Sequence, residues 1–365
     1  MIINISRYKT RKLCKRKSFN TYHRKLTSPS RSMNLVDGSA FHDGVAHGLA
    51  TRDWKGALVS AREKFDQEKQ AVVSLPGQEW LMEDHWDMAQ KMIECYADAY
   101  KDQGIQVIQP ECEFDVELPN SHHNCIWLHH EENIPGVGWM QNYGPPDPKA
   151  ILEQRVRSPH GNHFGSDYKY RESCMCWQPH RFVGKTDAVV TWMNNIWLLE
   201  HKTTAISGEM FWNQWRLDVQ PTGYIYGIQK ALNVKVGGFI LNAIIKPSEA
   251  QVANWNKKRK YGPPQTEKDY IKYEREAFLR SKEDLVRFEQ DLIDECNDWE
   301  RDVVRGRFPM SPLAGICNQY NRQCEYHTCC VTHDSQNELD ALGKKDDDYV
   351  DVKTFEGVKS EGVNG

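Results

Sequence analysis

The stretch 182-FVGKTDAVVTWMNNIWLLEHKTT-204 reads as two β-strands joined by a turn at Met193–Asn195. Apolar runs bounded by Gly184 and by the Asn194-Asn195 pair are the signature of a hairpin. Glu200 and Lys202 lie two apart on the second strand. Successive strand side chains alternate, so these two share a face. Asp187 sits where the paired strand brings its carboxylate beside Glu200. Two carboxylates and an ammonium at one sheet edge can hold a divalent metal against a phosphate and activate a water. The acid-x-Lys triplet alone is weak, because Asp53–Lys55, Asp147–Lys149, Asp167–Lys169 and Asp351–Lys353 repeat it. Only the Glu200 copy ends an apolar strand with an acidic strand just upstream. The plain alternative is an exposed cross-strand ion pair, which is worth little.

The chain has 365 residues, 39 % of them apolar, with 12 Trp, enough for one large packed domain or two. No run approaches the ~20 apolar residues of a membrane helix, so no membrane partner is expected. The N-terminus has no apolar stretch of secretory type, which predicts a cytoplasmic protein. A net charge of −4 excludes a protein that coats nucleic acid through its overall charge, leaving only local positive patches. Eleven Cys without a secretory signal suit metal ligation better than disulfides.

Working outward, three elements occur in order: Gly184-Lys-Thr-Asp187, Glu200-His-Lys202 and Gln220-Pro-Thr-Gly-Tyr224. This order resembles the PD-(D/E)XK nuclease superfamily, in the RecB-like branch that includes phage exonucleases. Thr186-Asp187 replaces the Pro-Asp of the pattern and leaves the acid in place. The resemblance implies a restriction-endonuclease-like α/β core, a central mixed sheet of four or five strands flanked by helices. It further implies metal-dependent, exonuclease-like hydrolysis of DNA phosphodiesters in recombination, repair or phage DNA processing. Its substrate would be DNA, single-stranded or with free ends, and its working partner a helicase or recombination protein. In that reading Mg²⁺ or Mn²⁺ is held by Asp187, Glu200, the His201 backbone carbonyl and His47, the last from Gly44-x-x-His47. Glu111, in Glu111-Cys-Glu-Phe114, approaches from the first strand of the core. Lys202 orients the attacking water, while Gln220 and Tyr224, four apart on one helical face, hold water or substrate. For His47 the alternative is a helix histidine satisfied by a core carbonyl, and for Glu111 a rim carboxylate.

Elsewhere, residues 38–66 carry apolar positions at three and four spacing and read as one helix, and 77–102 as a second. Residues 106–118 alternate as a strand. Residues 211–232 read as a helix and 234–246 as a closing strand ending at Lys246, where the family often has a basic residue near DNA. Residues 247–280 read as an exposed loop entering a helix, and 281–305 as an amphipathic helix. The aromatics Phe211, Trp212, Trp215, Tyr224 and Tyr226 suit either the core or base stacking. The expected organisation is 1–118, N-terminal helices and first strand; 119–178, an inserted loop; 179–335, the nuclease core and a cysteine clasp; and 336–365, a disordered acidic tail. The insert holds His122, His123, Cys125, His129, His130, Cys174 and Cys176 at spacings that match no defined zinc motif.

Residues 1–32 carry ten Lys/Arg and no acid. They read as a transit peptide, as a nucleic-acid-binding arm, or, by the resemblance, as the opening helix with its cluster Cys. At the other end, Cys317, Cys324, Cys329 and Cys330 crowd together, as thiolates that bind soft metals do. The five residues between Cys324 and Cys330 match the C-x₅-C ending of iron–sulfur RecB-like nucleases. By that resemblance Cys14, Cys317, Cys324 and Cys330 would hold a [4Fe-4S] cluster, with Zn²⁺ or unliganded thiols as alternatives and Cys329 as a substitute for Cys330. Two other functional classes stay open: a non-catalytic nuclease-derived DNA-binding adaptor, and a zinc-stabilised nucleic-acid module.

Overall fold

Residues 1–27, 33–70, 72, 79–100, 104–118, 131–134, 138–141, 180–319 and 322–344 are described by the structure, a computed structural model. Its strands up to Phe278, in chain order, are β1 (Ile2–Ile3), β2 (Leu26–Thr27), β3 (Gln106–Glu117), β4 (Glu131–Ile134), β5 (Gly138–Gln141), β6 (Arg181–Trp192), β7 (Asn195–Thr204), β8 (Val236–Ile245) and β9 (Lys272–Phe278); three two-residue strands follow, Asn318–Gln319, Arg322–Gln323 and Gly343–Lys344. The longer helices are α1 (Ile5–Leu13), α2 (Lys15–Tyr22), α3 (Met33–Thr51), α4 (Trp54–Lys69), α5 (Glu79–Tyr100), α6 (Glu209–Leu217), α7 (Val219–Leu232), α8 (Glu249–Lys258) and α9 (Lys282–Val304). The central sheet has six strands in the order β1-β6-β7-β8-β9, with β3 on the other edge of β6. β7 and β8 run parallel, joined through α6 and α7 as a β-α-β crossover, while β3–β6, β6–β7 and β8–β9 are antiparallel. The sheet is thus the mixed, helix-flanked sheet of a restriction-endonuclease-like fold, one strand larger than expected.

Alternation along the strands fills two layers. One face of the sheet buries Phe114, Phe182, Leu198, Phe239 and Leu241 together with Ile5, Ile225 and Phe288 of α1, α7 and α9. On the opposite face α3, α4 and α5 pack around Phe41, Ala57, Phe65, Trp86 and Met92, with Ile244 of β8 joining them. Close approach of α7 depends on missing side chains: a Cβ on Gly227 would stand 2.3 Å from the Phe114 ring, and one on Gly223 2.3 Å from Ile5. These two glycines set the depth at which α7 delivers Gln220.

Several boundaries differ from the sequence reading. The helix expected over 38–66 is two, broken where Arg52 turns left-handed (φ 63°) and Asp53 caps α4 through the Lys55 N–H. The helix expected over 211–232 breaks at Asp218, whose carboxylate caps α7 through the Gln220 N–H. The stretch 247–280, expected as a loop, holds α8 and β9. Capping boxes at Ser248 and Ser281 start α8 and α9. Nor is 336–365 wholly a tail: Gln336–Asp340 is helical and Gly343–Lys344 pairs with β2. Within the insert, β4 and β5 pair with each other. Its His and Cys residues named above, and the tail from 345, lie outside the described residues.

Candidate active site

The β6–β7 hairpin turns through Met193 and Asn194, both left-handed (φ 48° and 58°), the backbone that a two-residue type I′ turn requires. From there the ladder runs from Trp192↔Asn195 to Ala188↔Leu199 and stops. Beyond that point β1 takes over the edge of β6 at Arg181 and Phe182, and β7 continues against β8 alone. Asp187 and Glu200 are the first residues past the fork. The His201 amide, freed from the ladder, donates instead to Asp187 Oδ2 at 2.7 Å. That carboxylate therefore sits in the gap between the strands. His201 Nδ1 lies 2.9 Å from the same oxygen and His42 Nδ1 3.2 Å from it. Ligand atoms of His42, Asp187 and His201 lie within 4.8 Å of one another, the one such His/Cys/acid group among the described residues.

Glu200 and Lys202 share the α7 side of the sheet, as alternation requires. Glu200 Oε1 accepts from Lys202 Nζ at 2.9 Å and from Gln220 Nε2 at 2.7 Å. Its other oxygen, Oε2, is buried without a hydrogen-bond partner. Burial, with the Asp187 charge adding to it, pushes the Glu200 carboxyl up to about 7 against the opposing pull of Lys202. Burial would raise Asp187 too, but His42 and His201 outweigh it and hold this carboxyl well below its ordinary range. Burial alone would lower Lys202 and His42, yet the carboxylates beside them raise both. For His201 burial wins and the ring is held down. One carboxylate is thus ionised and anchored, and its neighbour is poised near neutrality with a free oxygen.

Of the residues expected at the metal, the structure brings together Asp187, Glu200, Lys202 and Gln220. Tyr224 lies one turn behind, hydrogen-bonded to Gln220 and packed between Phe114 and Phe239, so it supports the Gln. His201 contributes its amide and ring to Asp187, where its carbonyl was expected at the metal. Two expectations are corrected. His47 faces the α3–α4 turn, its Nε2 standing 2.8 Å from where a Gly56 Cβ would be, beside Asp53. Five residues turn a helix by about 140°, so His42 and His47 cannot both face the fork. The sequence signal for His42 was the stripe Ala40, Phe41, Gly44, Val45, Gly48, which fixes the buried side of α3. Glu111 forms an ion pair with Lys185 on the outer strand β3 and adopts a left-handed backbone (φ 49°) that re-aims its side chain. Lys246 is likewise committed, to the buried Asp37 at 3.1 Å, which also holds His85. The aromatics of α6 and α7 are core: Phe211, Trp215 and Tyr226 are buried.

The thiols named at the two ends converge in part. Cys14 caps α2, its sulfur accepting from the Lys17 N–H at 3.4 Å. The Cys324 N–H donates to the Cys317 carbonyl at 2.8 Å. Cys330 feels the charges of Cys14, Cys324 and Arg16, and burial pushes its thiol up to about 11. Cys329 points away, toward Asp334, Glu338 and Arg24. Adjacent helical residues diverge by about 100°, so Cys330, not Cys329, turns to Cys14.

No helix among the described residues is long and apolar enough to cross a membrane. No curated protein matches the chain. The hairpin that forks at two carboxylates, the lysine beside them and the glutamine from the following helix agree with what a whole-chain comparison finds. A family model matches residues 3–331, and the chain belongs to the PD-(D/E)XK nuclease superfamily.

Proposed function

We propose that the chain is a Mg²⁺- or Mn²⁺-dependent deoxyribonuclease of exonuclease-like action, working on DNA with free ends in recombination, repair or phage DNA processing beside a helicase or recombination partner. The observation that carries this reading is Glu200 Oε2, a buried carboxylate oxygen with no partner, beside an ionised Asp187. An unpartnered buried oxygen is costly, and a hard divalent cation is the ligand that repays it. The donor set fits: Asp187, Glu200 and His42 would hold the ion, with two carboxylates supplying most of the charge. Such an ion supplies a water of lowered pKa and polarises a phosphate oxygen. Lys202, a third exposed, donates to the attacking water and to the charge that grows on the phosphate. Gln220 and Lys202 both donate to Glu200 Oε1, which leaves Oε2 as the oxygen without a protein partner. Water oxygen adds to phosphorus, one ester oxygen leaves with a proton, and the chain is cut.

The cysteines at the two ends are read as the ligands of a [4Fe-4S] cluster: Cys14, Cys317, Cys324 and Cys330. What supports one shared site is that Cys330 senses the charges of Cys14 and Cys324 and that the Cys324 N–H donates to the Cys317 carbonyl; Zn²⁺ is the alternative ion. Anaerobic purification tests both parts. A brown protein with stoichiometric iron and sulfide, releasing end label from DNA with Mn²⁺ or Mg²⁺ and not with EDTA, is the expected result. Colourless zinc protein would reassign the cysteines. Cleavage that persists in EDTA would remove the metal mechanism.

A further inference from the structure

Beneath α5 a row of polar side chains crosses three strands of the sheet. His201 on β7 stands opposite Asn242 on β8, and Asn242 opposite Arg275 on β9. Tyr96 of α5 lies over the row. His201, Asn242 and Tyr96 are 2 % exposed or less. Polar groups this deep are kept only when their hydrogen bonds are complete. Here each of these side chains has a partner, and the chemistry of the groups fixes which one donates.

Arginine has no acceptor, so its Nε donates to Asn242 Oδ1 at 2.5 Å. The oxygen side of the amide is thereby used, and Asn242 Nδ2 donates to the Tyr96 hydroxyl at 3.2 Å. That hydroxyl then gives its own proton to His201 Nε2, 2.6 Å away. A neutral imidazole accepting at Nε2 carries its proton on Nδ1. Nδ1 faces Asp187 Oδ2 at 2.9 Å, and an ionised carboxylate only accepts. The chain runs from a permanent cation to an anion without a break.

We infer that Arg275, Asn242 and Tyr96 form a buried relay that fixes the His201 ring as a hydrogen-bond donor to Asp187, making His201 a positioning residue. The inference deepens the nuclease reading and rests on it for what Asp187 does. His42, Asp187 and His201 cluster as three ligands of an ion would, but both His201 nitrogens are already committed and it has no lone pair to offer. The relay instead ties down Oδ2, leaving Oδ1 out of these contacts and available to the cation. The residue between the acid and the lysine of the E-x-K strand thus acts from the opposite face of the sheet. Its partner hydroxyl arrives from a helix more than a hundred positions earlier in the chain.

Tyr96→Phe tests the relay, because it removes one hydroxyl and keeps the ring in the core. Ring ¹⁵N shifts of His201 are expected to show the proton on Nδ1 in the wild type and a shift toward the Nε2–H form in Tyr96→Phe. Mn²⁺ titration of the DNA-free protein is expected to show affinity about tenfold weaker in Tyr96→Phe, as losses of such outer partners typically do. Tyr100→Phe, one turn along α5, loses a hydroxyl bonded to the Glu274 carbonyl and should leave both readouts unchanged. His201→Asn, whose amide can still donate to Asp187, should bind Mn²⁺ better than His201→Ala. A wild-type ring protonated on Nε2, or either readout unmoved in Tyr96→Phe, overturns the relay. A wild type that binds no Mn²⁺ overturns the proposed function instead, and the ring shifts then judge the relay alone.

Discussion

At the β6–β7 fork charge is left over; at the clasp between the chain ends it is cancelled. The fork gathers two carboxylates, one with a buried oxygen that nothing satisfies. The basic N-terminal segment, by contrast, is matched nearly residue for residue. Lys9 meets Asp218, and Lys12 and the fully buried Arg11 meet Glu295. Arg11 and Lys15 also meet Asp302, Arg16 and Arg24 meet Asp334, and Lys17 meets Glu325. Phe19 stacks on Phe308, and Thr21 and the Leu26 carbonyl hold the Tyr326 hydroxyl. Neither a transit peptide nor a free DNA-binding arm is built this way. A run of one charge is therefore no guide to function until its partners are known, whereas an imbalance that survives folding is.

Lys202→Ala breaks the comparison at its sharpest point. Cleavage is expected to fall about a hundred- to a thousandfold, the scale on which a donor to developing charge is felt, while circular dichroism and Mn²⁺ binding stay near wild type. Undiminished cleavage would remove the fork from the chemistry. Arg11→Ala probes the other region. It takes the buried cation from Glu295 and Asp302 and leaves them only the more exposed Lys12 and Lys15. A loss of roughly 3 kcal/mol in urea unfolding, the low end for a broken buried pair, is expected, with DNA affinity of the folded protein unchanged. Weaker DNA binding at full stability would restore the basic-arm reading.

Much of the fork was legible in the sequence because its determinants are local. Alternation put Glu200 and Lys202 on one face, and the Asn pair marked the turn. What was not legible depends on distant partners. β9, KYEREAF, looks too charged for a sheet, yet Tyr273 reaches the Met92 carbonyl and Arg275 stacks over Tyr100, so the polar side chains are accommodated under α5. The break at Arg52 uses a left-handed arginine, where glycine would have announced it. His201 reads as a spacer between two catalytic letters until Tyr96, Asn242 and Arg275 are placed around it.

Glu200→Gln separates what the fork does for function from what it does for stability. A carboxyl raised from 4.5 to about 7 on folding favours the folded state only in its neutral form. Its contribution is complete below 4.5 and is lost as pH rises through about 7. Those 2.5 pH units correspond to about 3 kcal/mol. Asp187, depressed, works in the other direction and only at lower pH, where its contribution fades as it protonates. Without metal, Glu200→Gln should therefore melt a few degrees above wild type at pH 8 and alongside it at pH 4. Added Mn²⁺ should stabilise the wild type and leave the variant where it was. A variant less stable at pH 8 would mean that the Lys202 contact, not burial, governs this carboxyl.

The smallest expected effect discriminates between two histidines on one helix. His42 Nδ1 stands 3.2 Å from Asp187 Oδ2, and His47 lies on the opposite flank of α3 beside Asp53. If the fork is assembled by geometry, His42→Ala should weaken Mn²⁺ binding and slow cleavage by about 10- to 100-fold, with the loss partly recovered at high Mn²⁺. His47→Ala should change cleavage by less than about twofold, since this half-buried ring faces the α3–α4 turn and touches neither carboxylate of the fork. The reverse pattern would mean that α3 turns about its axis when the ion and DNA bind, bringing the Gly44-x-x-His47 face to the fork. Such a turn would have to pull the small-residue stripe at Gly44 and Gly48 off Ala61 and Trp54, where an added Cβ would stand 3.0 Å and 2.5 Å away. Packing that tight resists rotation, which is why the His42 variant should carry the loss.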